Sequence, residues 1–319
     1  MLEPPRTSTG RGPSLPEVRL AMRATSKFLL DAAIYFKSGG DLTDNLILLA
    51  IVQANVVPVM ADPVLQRRYA SAEAPPPGEL RRPISINAIA ASLQLPFETV
   101  RRRILQMAAR QVCVITPRGL ITSQRGLTSP AHLALLEANH QAVKELYIRL
   151  RRNGVLPAPA AHPQPEAPPI RAVARISSEF VLRLTEPLVG IAGNLIDGLT
   201  LIAVFDLNTA GFPDQVRHDR GADSYVADDQ RTPATVRAVA GRLGLPYEQT
   251  RRRLAHLKAE GRCIRAGQGY IITAQTLARP DLMEAYRSSV LSLHRMFAAL
   301  AELGALAPWE AELADGANG

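Results

Sequence analysis

The sequence predicts a mainly α fold made of one unit written twice. In each copy a pair of short helices is followed by a small β-hairpin and then by a long helix. Three observations carry this reading. Residues 81–124 align without a gap on residues 231–274, an offset of 150, with fifteen of 44 positions identical; self-similarity over so long a period marks a duplicated domain rather than a solenoid. Apolar residues recur at helical spacing along nearly the whole chain, interrupted at the same place in each copy by two short β-type runs. A stretch holding six prolines, 157–169, lies between the copies and reads as a stiff connector.

The elements follow in order. The units are expected at 17–156 and 171–308, joined by the linker 157–170, with disordered ends at 1–16 and 309–319. Upstream the match is weaker. Ser26-Lys27-Phe28 lies over Ser178-Glu179-Phe180, and Asp44, Leu46, Ala50 and Asn55 lie over Asp197, Leu199, Ala203 and Asn208. Irregular stretches are expected at 62–82 and 211–232. Residues 84–93 form a short amphipathic helix with Ile86, Ile89, Ala90 and Leu93 on one side, and Gln94-Leu95 make a turn. Pro96 suits the first turn of the next helix, where its missing N–H is not needed, and that helix runs to about Arg110. Strand, tight turn and strand follow over 112–122. The second copy repeats this over 235–243, 244–245, 246–260 and a hairpin that starts at Cys263. In the long helices after the hairpins, Leu133, Leu136, His140, Val143, Tyr147 and Leu150 step by three and four, as do Met283, Tyr286, Val290, Leu293, Phe297 and Leu300. Such seams bury against another helix. Helices 130–153 and 280–303 are therefore expected either to join the two copies into an intramolecular pseudo-dimer, to form a homodimer, or to close the core of their own unit.

Composition excludes several classes. The chain has 319 residues, 47% of them hydrophobic, enough for two cored domains. Two cysteines, Cys113 and Cys263, make neither a disulfide framework nor a four-thiolate zinc site. They recur at the start of the first hairpin strand, where a small buried hydrophobe is usual and a redox sensor is the alternative. The six histidines form no metal-ligand spacing with Cys or carboxylates, and no cofactor is implied. No phosphate-cradling glycine loop or strained nucleophile turn appears, so the chain reads as a non-enzyme. The apolar runs 45–60 and 188–207 carry polar residues (Gln53 and Asn55; Asn194 and Asp197) and are expected to be core rather than membrane spans. With no signal-peptide pattern at Met1-Leu2-Glu3-Pro4-Pro5, a soluble cytoplasmic protein is expected.

Net charge is +8, and only four of the 37 basic residues are lysine. An Arg- and Ala-rich chain can reflect a GC-rich genome alone, so position matters more than total. Residues 81–125 and 231–275 carry +7 each, which leaves −6 for everything else. Concentration of positive charge on the helix-pair-plus-hairpin modules is the footprint of phosphate binding.

Leu243-Gly244-Leu245-Pro246-Tyr247-Glu248-Gln249-Thr250-Arg251-Arg252 resembles the recognition region of bacterial winged helix-turn-helix regulators of the MarR and IclR kinds, and so does 93–102, with Thr99-Val100 before Arg102. The run Leu257-Lys258-Ala259-Glu260-Gly261 is similar to the same families' helix end. The resemblance covers about 40 residues of each half, and an IclR-type effector domain is not apparent. It implies a transcription regulator that binds double-stranded DNA with the second helix of each pair in the major groove.

Helical geometry then assigns the side chains. With Val100 at the centre of the buried face, Ile104, Met107 and Phe97 fall beside it, and Arg102 falls opposite. Glu98, Thr99 and Gln106 surround Arg102, and Arg101 and Arg103 flank the helix. In the second copy Thr250, Leu254 and Leu257 face inward, and Glu248, Gln249, Arg252 and His256 face outward, with Arg251 and Arg253 beside them. Arg reads guanine bidentately or holds phosphate, and Gln249 suits adenine. Glu98 and Glu248 either read cytosine or hold Arg102 and Arg252 as i,i+4 pairs. Arg118 and Arg265 sit on the hairpins, where they touch backbone or stay solvated. Phe97/Tyr247, Thr99/Gln249 and Gln106/His256 differ between copies, so an imperfect palindrome is expected. The other reading is a tandem winged-helix scaffold, or a replication or chromosome-associated factor, working by protein contact.

Overall fold

The computed structural model describes residues 15–35, 41–160, 162–214 and 226–315. Of these residues 69% are helical, and two small antiparallel hairpins stand at similar positions in the two halves. The first half runs α1 (Leu15–Tyr35), α2 (Leu42–Met60), α3 (Pro63–Arg68), α4 (Ile86–Leu93), α5 (Phe97–Ala109), β1 (Cys113–Thr116), β2 (Gly119–Thr122), α6 (Gln124–Thr128) and α7 (Pro130–Arg152). The second runs α8 (Ile170–Ala192), α9 (Leu195–Thr209), α10 (Val236–Leu243), α11 (Tyr247–Ala259), β3 (Ile264–Ala266), β4 (Gly269–Ile271), α12 (Ala274–Leu277), α13 (Pro280–Glu302) and α14 (Ala307–Asp315).

Local chemistry accounts for the short elements. Ser85 and Thr235 cap α4 and α10 by accepting from the Ala88 and Ala238 amides. Both helices end on a left-handed residue, Gln94 (φ 50°) in one copy and Gly244 (φ 63°) in the other. Pro96 and Pro246 stand at the N-cap positions of α5 and α11, one residue earlier than the sequence pattern places them. Ile84, expected inside a helix, is instead extended and bridges Leu120 of β2, as Ala234 bridges Tyr270 of β4. That bridge explains the glycines shared at the hairpin turns. A Cβ on Gly119 would sit 2.7 Å from the Ile84 carbonyl oxygen, and one on Gly269 would sit 2.8 Å from that of Ala234.

A buried asparagine locks each hairpin to its long helix. Asn55 of α2 donates to the Arg82 and Leu120 carbonyls (2.9 and 3.2 Å) and accepts from the Thr122 amide at 2.7 Å. Asn208 of α9 donates to the Thr232 and Tyr270 carbonyls (2.7 and 3.0 Å) and accepts from the Ile272 amide at 2.9 Å. α2 is long and apolar enough to cross a membrane, with a mean hydropathy of 1.6 over eighteen residues. In this fold it packs against α8, α4, α5 and β2.

The two halves share one hydrophobic core. α1 packs on α7 of its own half and on α9 and α13 of the other; reciprocally, α8 packs on α13 and on α2 and α7. Equivalent residues meet across this arrangement. The Phe28 and Phe180 rings lie 6.3 Å apart, and those of Tyr147 and Phe297 5.2 Å apart. The heptad seams are buried over Val143–Leu150 and Val290–Leu300 positions, and much of that burial is against α1 and α8, inserted beside α7 and α13.

The ends differ from expectation. Residues 1–14 lie outside the described residues, whereas Leu15 and Pro16 already open α1. The segment 309–315, expected within a disordered tail, belongs to helix α14, and 316–319 lie outside the described residues. Trp309 is the anchor. It is 3% exposed, with its ring 5.6 Å from Tyr147 and 5.4 Å from His140. Glu310 accepts from Arg151 Nε at 2.8 Å and from the Tyr147 hydroxyl at 2.6 Å. Of the irregular stretches, 62–82 includes α3, and 215–225 lie outside the described residues.

The Arg151 hydrogen bond holds the Glu310 carboxyl below the usual carboxylate range. A depressed acid stabilises the docked helix above its unfolded pKa and loses that contribution as pH falls through the folded value. Trp309 is the single tryptophan, so its fluorescence should report undocking of α14 below about pH 4. Glu310→Gln should flatten that acid transition; a transition unchanged in the variant would contradict the linkage.

Candidate nucleic-acid interface

The second helix of each short pair presents one face to the core. Val100, Ile104 and Met107 are at most 1% exposed, and Thr250, Leu254 and Leu257 are fully buried. Opposite them Glu98, Arg101, Arg102 and Gln106 are exposed on α5, as are Glu248, Gln249, Arg251, Arg252 and His256 on α11; Thr99 is half-buried.

Three sequence-based placements change. Phe97, expected on the buried face, is 42% exposed, as Tyr247 at the head of the equivalent helix is 49% exposed. Each is the first residue of its helix and projects past the rim of the core. Arg103 and Arg253 turn back toward the body. Arg103 donates to Asp41 (2.7 Å) and Asp44 (2.8 Å) at the start of α2, and Arg253 donates to Asp197 (2.7 Å) at the start of α9. Asp44 also takes Arg110 at 3.2 Å. These ion pairs fasten α5 and α11 to the long helices. The surface pairs have i,i+3 spacing instead of i,i+4: Glu98 holds Arg101 and Glu248 holds Arg251, both at 3.0 Å. Arg102 and Arg252 are thereby left without a carboxylate partner among the described residues.

The hairpins stand at the end of each helix. Arg118 is exposed in the β1–β2 turn. Arg265 is exposed on β3 with its guanidinium 5.8 Å from the Tyr270 ring centre, which holds it across the strand pair. His256 lies 3.4 Å from Glu260.

Burial also sharpens the charge. Arg81 and Arg231 are 8% and 5% exposed and donate to backbone carbonyls. Arg242 pairs with Asp206 and Asp31. With these and the anchored arginines removed, Arg82, Arg101, Arg102, Arg118 and Arg125 remain exposed in the first module. Arg237, Arg251, Arg252, Lys258 and Arg265 remain exposed in the second.

The sequence pattern did not reveal the anchoring role of Asp44 and Asp197 or the asparagine clamps. The signal was present: in both copies an acid and an amide recur inside otherwise apolar helices, where a polar group must find a partner. Among the described residues no three His, Cys, Asp or Glu side chains converge as a metal site.

Cys113 and Cys263 are 2% and 1% exposed, and burial pushes both thiols up to about 11. Both should resist a thiol-specific disulfide reagent in the native protein at neutral pH and react only on unfolding. Rapid native labelling of either would restore the redox-sensor reading.

In comparisons with known proteins, no family model matches the chain, and neither a curated protein nor a solved structure matches it.

Proposed function

We propose that the chain is a sequence-specific double-stranded DNA-binding transcription regulator, in which two winged helix-turn-helix units form a pseudo-dimer within one polypeptide. The helices α5 and α11 act as recognition helices in major grooves, and the hairpins act as wings against the backbone. The observation that carries this reading is the sorting of arginines, the same in both copies. Arg103 and Arg253 are anchored to Asp44 and Asp197, Arg101 and Arg251 are held by surface glutamates, and Arg102 and Arg252 stand exposed at the helix centre with no counter-ion among the described residues. The reciprocal packing of α1 and α8 supports a twofold arrangement of the two recognition helices.

Selection from random duplexes followed by footprinting tests this. Two half-sites about 10 bp apart, or a multiple of that, are expected. Affinity should fall steeply with salt, because each neutralised phosphate contributes a slope of about −0.9 in log K against log salt. One isolated half-site per chain would refute the pseudo-dimer.

A specific observation favours a second reading, a protein-interaction scaffold. On the first module Leu105, Val114 and Ile115 are 46%, 42% and 50% exposed. The equivalent positions of the second hold Ala255, Ile264 and Arg265. Weak, salt-insensitive DNA association would select this reading.

A further inference from the structure

We propose that the chain holds a site for a small organic anion with an apolar body, a monocarboxylate, in the cavity between α2, α6 and α7 of the first half and α8 of the second. The cavity measures about 550 Å³, within the range of small-molecule sites. Its walls are mostly apolar, with Val52 and Val56 from α2 and Leu135 and Leu136 from α7. Arg81, Arg171 and Arg175 also line it, and they are 8%, 4% and 5% exposed.

None of these three guanidinium groups has a carboxylate within ion-pair distance among the described residues. Arg175 donates to the Tyr69 and Gln66 carbonyls (2.7 and 3.2 Å), and Arg171 to those of Ala72 and Leu127 (both 2.9 Å). Arg81 donates to the Thr122 and Pro76 carbonyls and to the Gln124 side chain. The Nε atoms of Arg175 and Arg81 have no hydrogen-bond partner. Buried cations without a counter-ion are costly, and a buried anion offsets that cost. Burial and the charge of Arg171 also push the imidazole of His132, on the same wall, down to about 4.

The equivalent place in the other copy, between α1, α9 and α13, supplies an internal control. Arg23, Arg19 and Arg231 occupy the positions equivalent to Arg175, Arg171 and Arg81, and Arg23 and Arg231 each have an acid nearby. Arg23 lies 3.5 Å from Asp214, and Arg231 lies 3.3 Å from Asp228. The equivalent space is also filled. Phe205, Leu282 and Tyr286 replace Val52, His132 and Leu136, and the cavities they line are only about 60 Å³ each. One place has therefore closed its pocket and set an acid beside two of its arginines, while the other keeps a space and, among the described residues, no carboxylate within ion-pair distance of its three arginines; Glu73 and Glu79 act on Arg171 and Arg81 only from farther away. The site stands independently of DNA binding.

Calorimetry on the full chain with octanoate and 4-phenylbutyrate, against octanol and 4-phenylbutanol, tests the assignment. At least one acid should bind one-to-one, about tenfold or more tighter than its alcohol, as a charge-assisted hydrogen bond requires. The variant V52F/L136Y, which installs the second half's residues, should abolish binding with an unchanged circular dichroism spectrum. Arg175→Met should reduce the acid to the affinity of the alcohol. If neither acid binds, if acid and alcohol bind alike, or if the folded V52F/L136Y variant binds as the parent does, the proposal is overturned; the acid–alcohol comparison needs no variant.

Discussion

The double variant Arg102→Ala/Arg252→Ala should lose specific DNA binding while folding normally. Both side chains are exposed and without an acidic partner among the described residues, so their removal breaks no internal contact and should shift stability by no more than about 0.5 kcal/mol. A bidentate base contact contributes about 1–3 kcal/mol of discrimination. Two such losses correspond to a fall in specific affinity between roughly thirty-fold and twenty-thousand-fold at constant salt. Arg101→Ala/Arg251→Ala should cost less, because Glu98 and Glu248 already neutralise those residues at 3.0 Å. Arg253→Ala should act differently. It leaves Asp197, 4% exposed in its side chain, without its cation, and should lower stability by about 1–3 kcal/mol. A gel-shift titration paired with urea denaturation separates these classes. Unchanged affinity in the first variant would remove the major-groove assignment.

Asn55→Ala and Asn208→Ala should be among the most destabilising exposed-atom-free substitutions in the chain, and by similar amounts. Each asparagine is 2% exposed or less. Removing Asn55 strips a partner from the Arg82 carbonyl and from the Thr122 amide; removing Asn208 strips one from the Thr232 carbonyl and from the Ile272 amide. The Leu120 and Tyr270 carbonyls suffer less, since each also accepts from the bridge residue, Ile84 or Ala234. Two buried polar groups losing partners at about 1–3 kcal/mol each give a loss of about 2–6 kcal/mol. Because the halves share one core, either variant should lower the urea midpoint seen by circular dichroism and by Trp309 fluorescence together. Separate transitions for the two probes would mean that the halves unfold independently.

The duplicated order of elements was legible in the sequence, because helical and strand periodicities are local. Val100, Ile104 and Met107, or Thr250, Leu254 and Leu257, identify the buried face of a helix from spacing alone. Differences arose where long-range partners decide. Ile84 has a helical neighbourhood, yet its backbone pairs with Leu120, 36 positions away. Trp309 lies in a short segment whose docking depends on residues far away in the chain, Tyr147, His140, Lys144 and Arg151. Glu98 can reach either Arg101 or Arg102 on an isolated helix, and the fold selects the nearer turn.

By itself the sequence determined that one unit is written twice, that each copy pairs two short helices with a hairpin, and that positive charge gathers there. Repeat identity and side-chain periodicity need no knowledge of distant contacts. Only the tertiary structure decided which of those charges face outward, because an arginine's role depends on whether a carboxylate such as Asp44 or Asp197 is brought within reach. It alone decided that α1 and α8 cross into the opposite half. Those crossings also leave a charged cavity open in one copy and closed in the other, through size differences as small as Val52 against Phe205 at equivalent places.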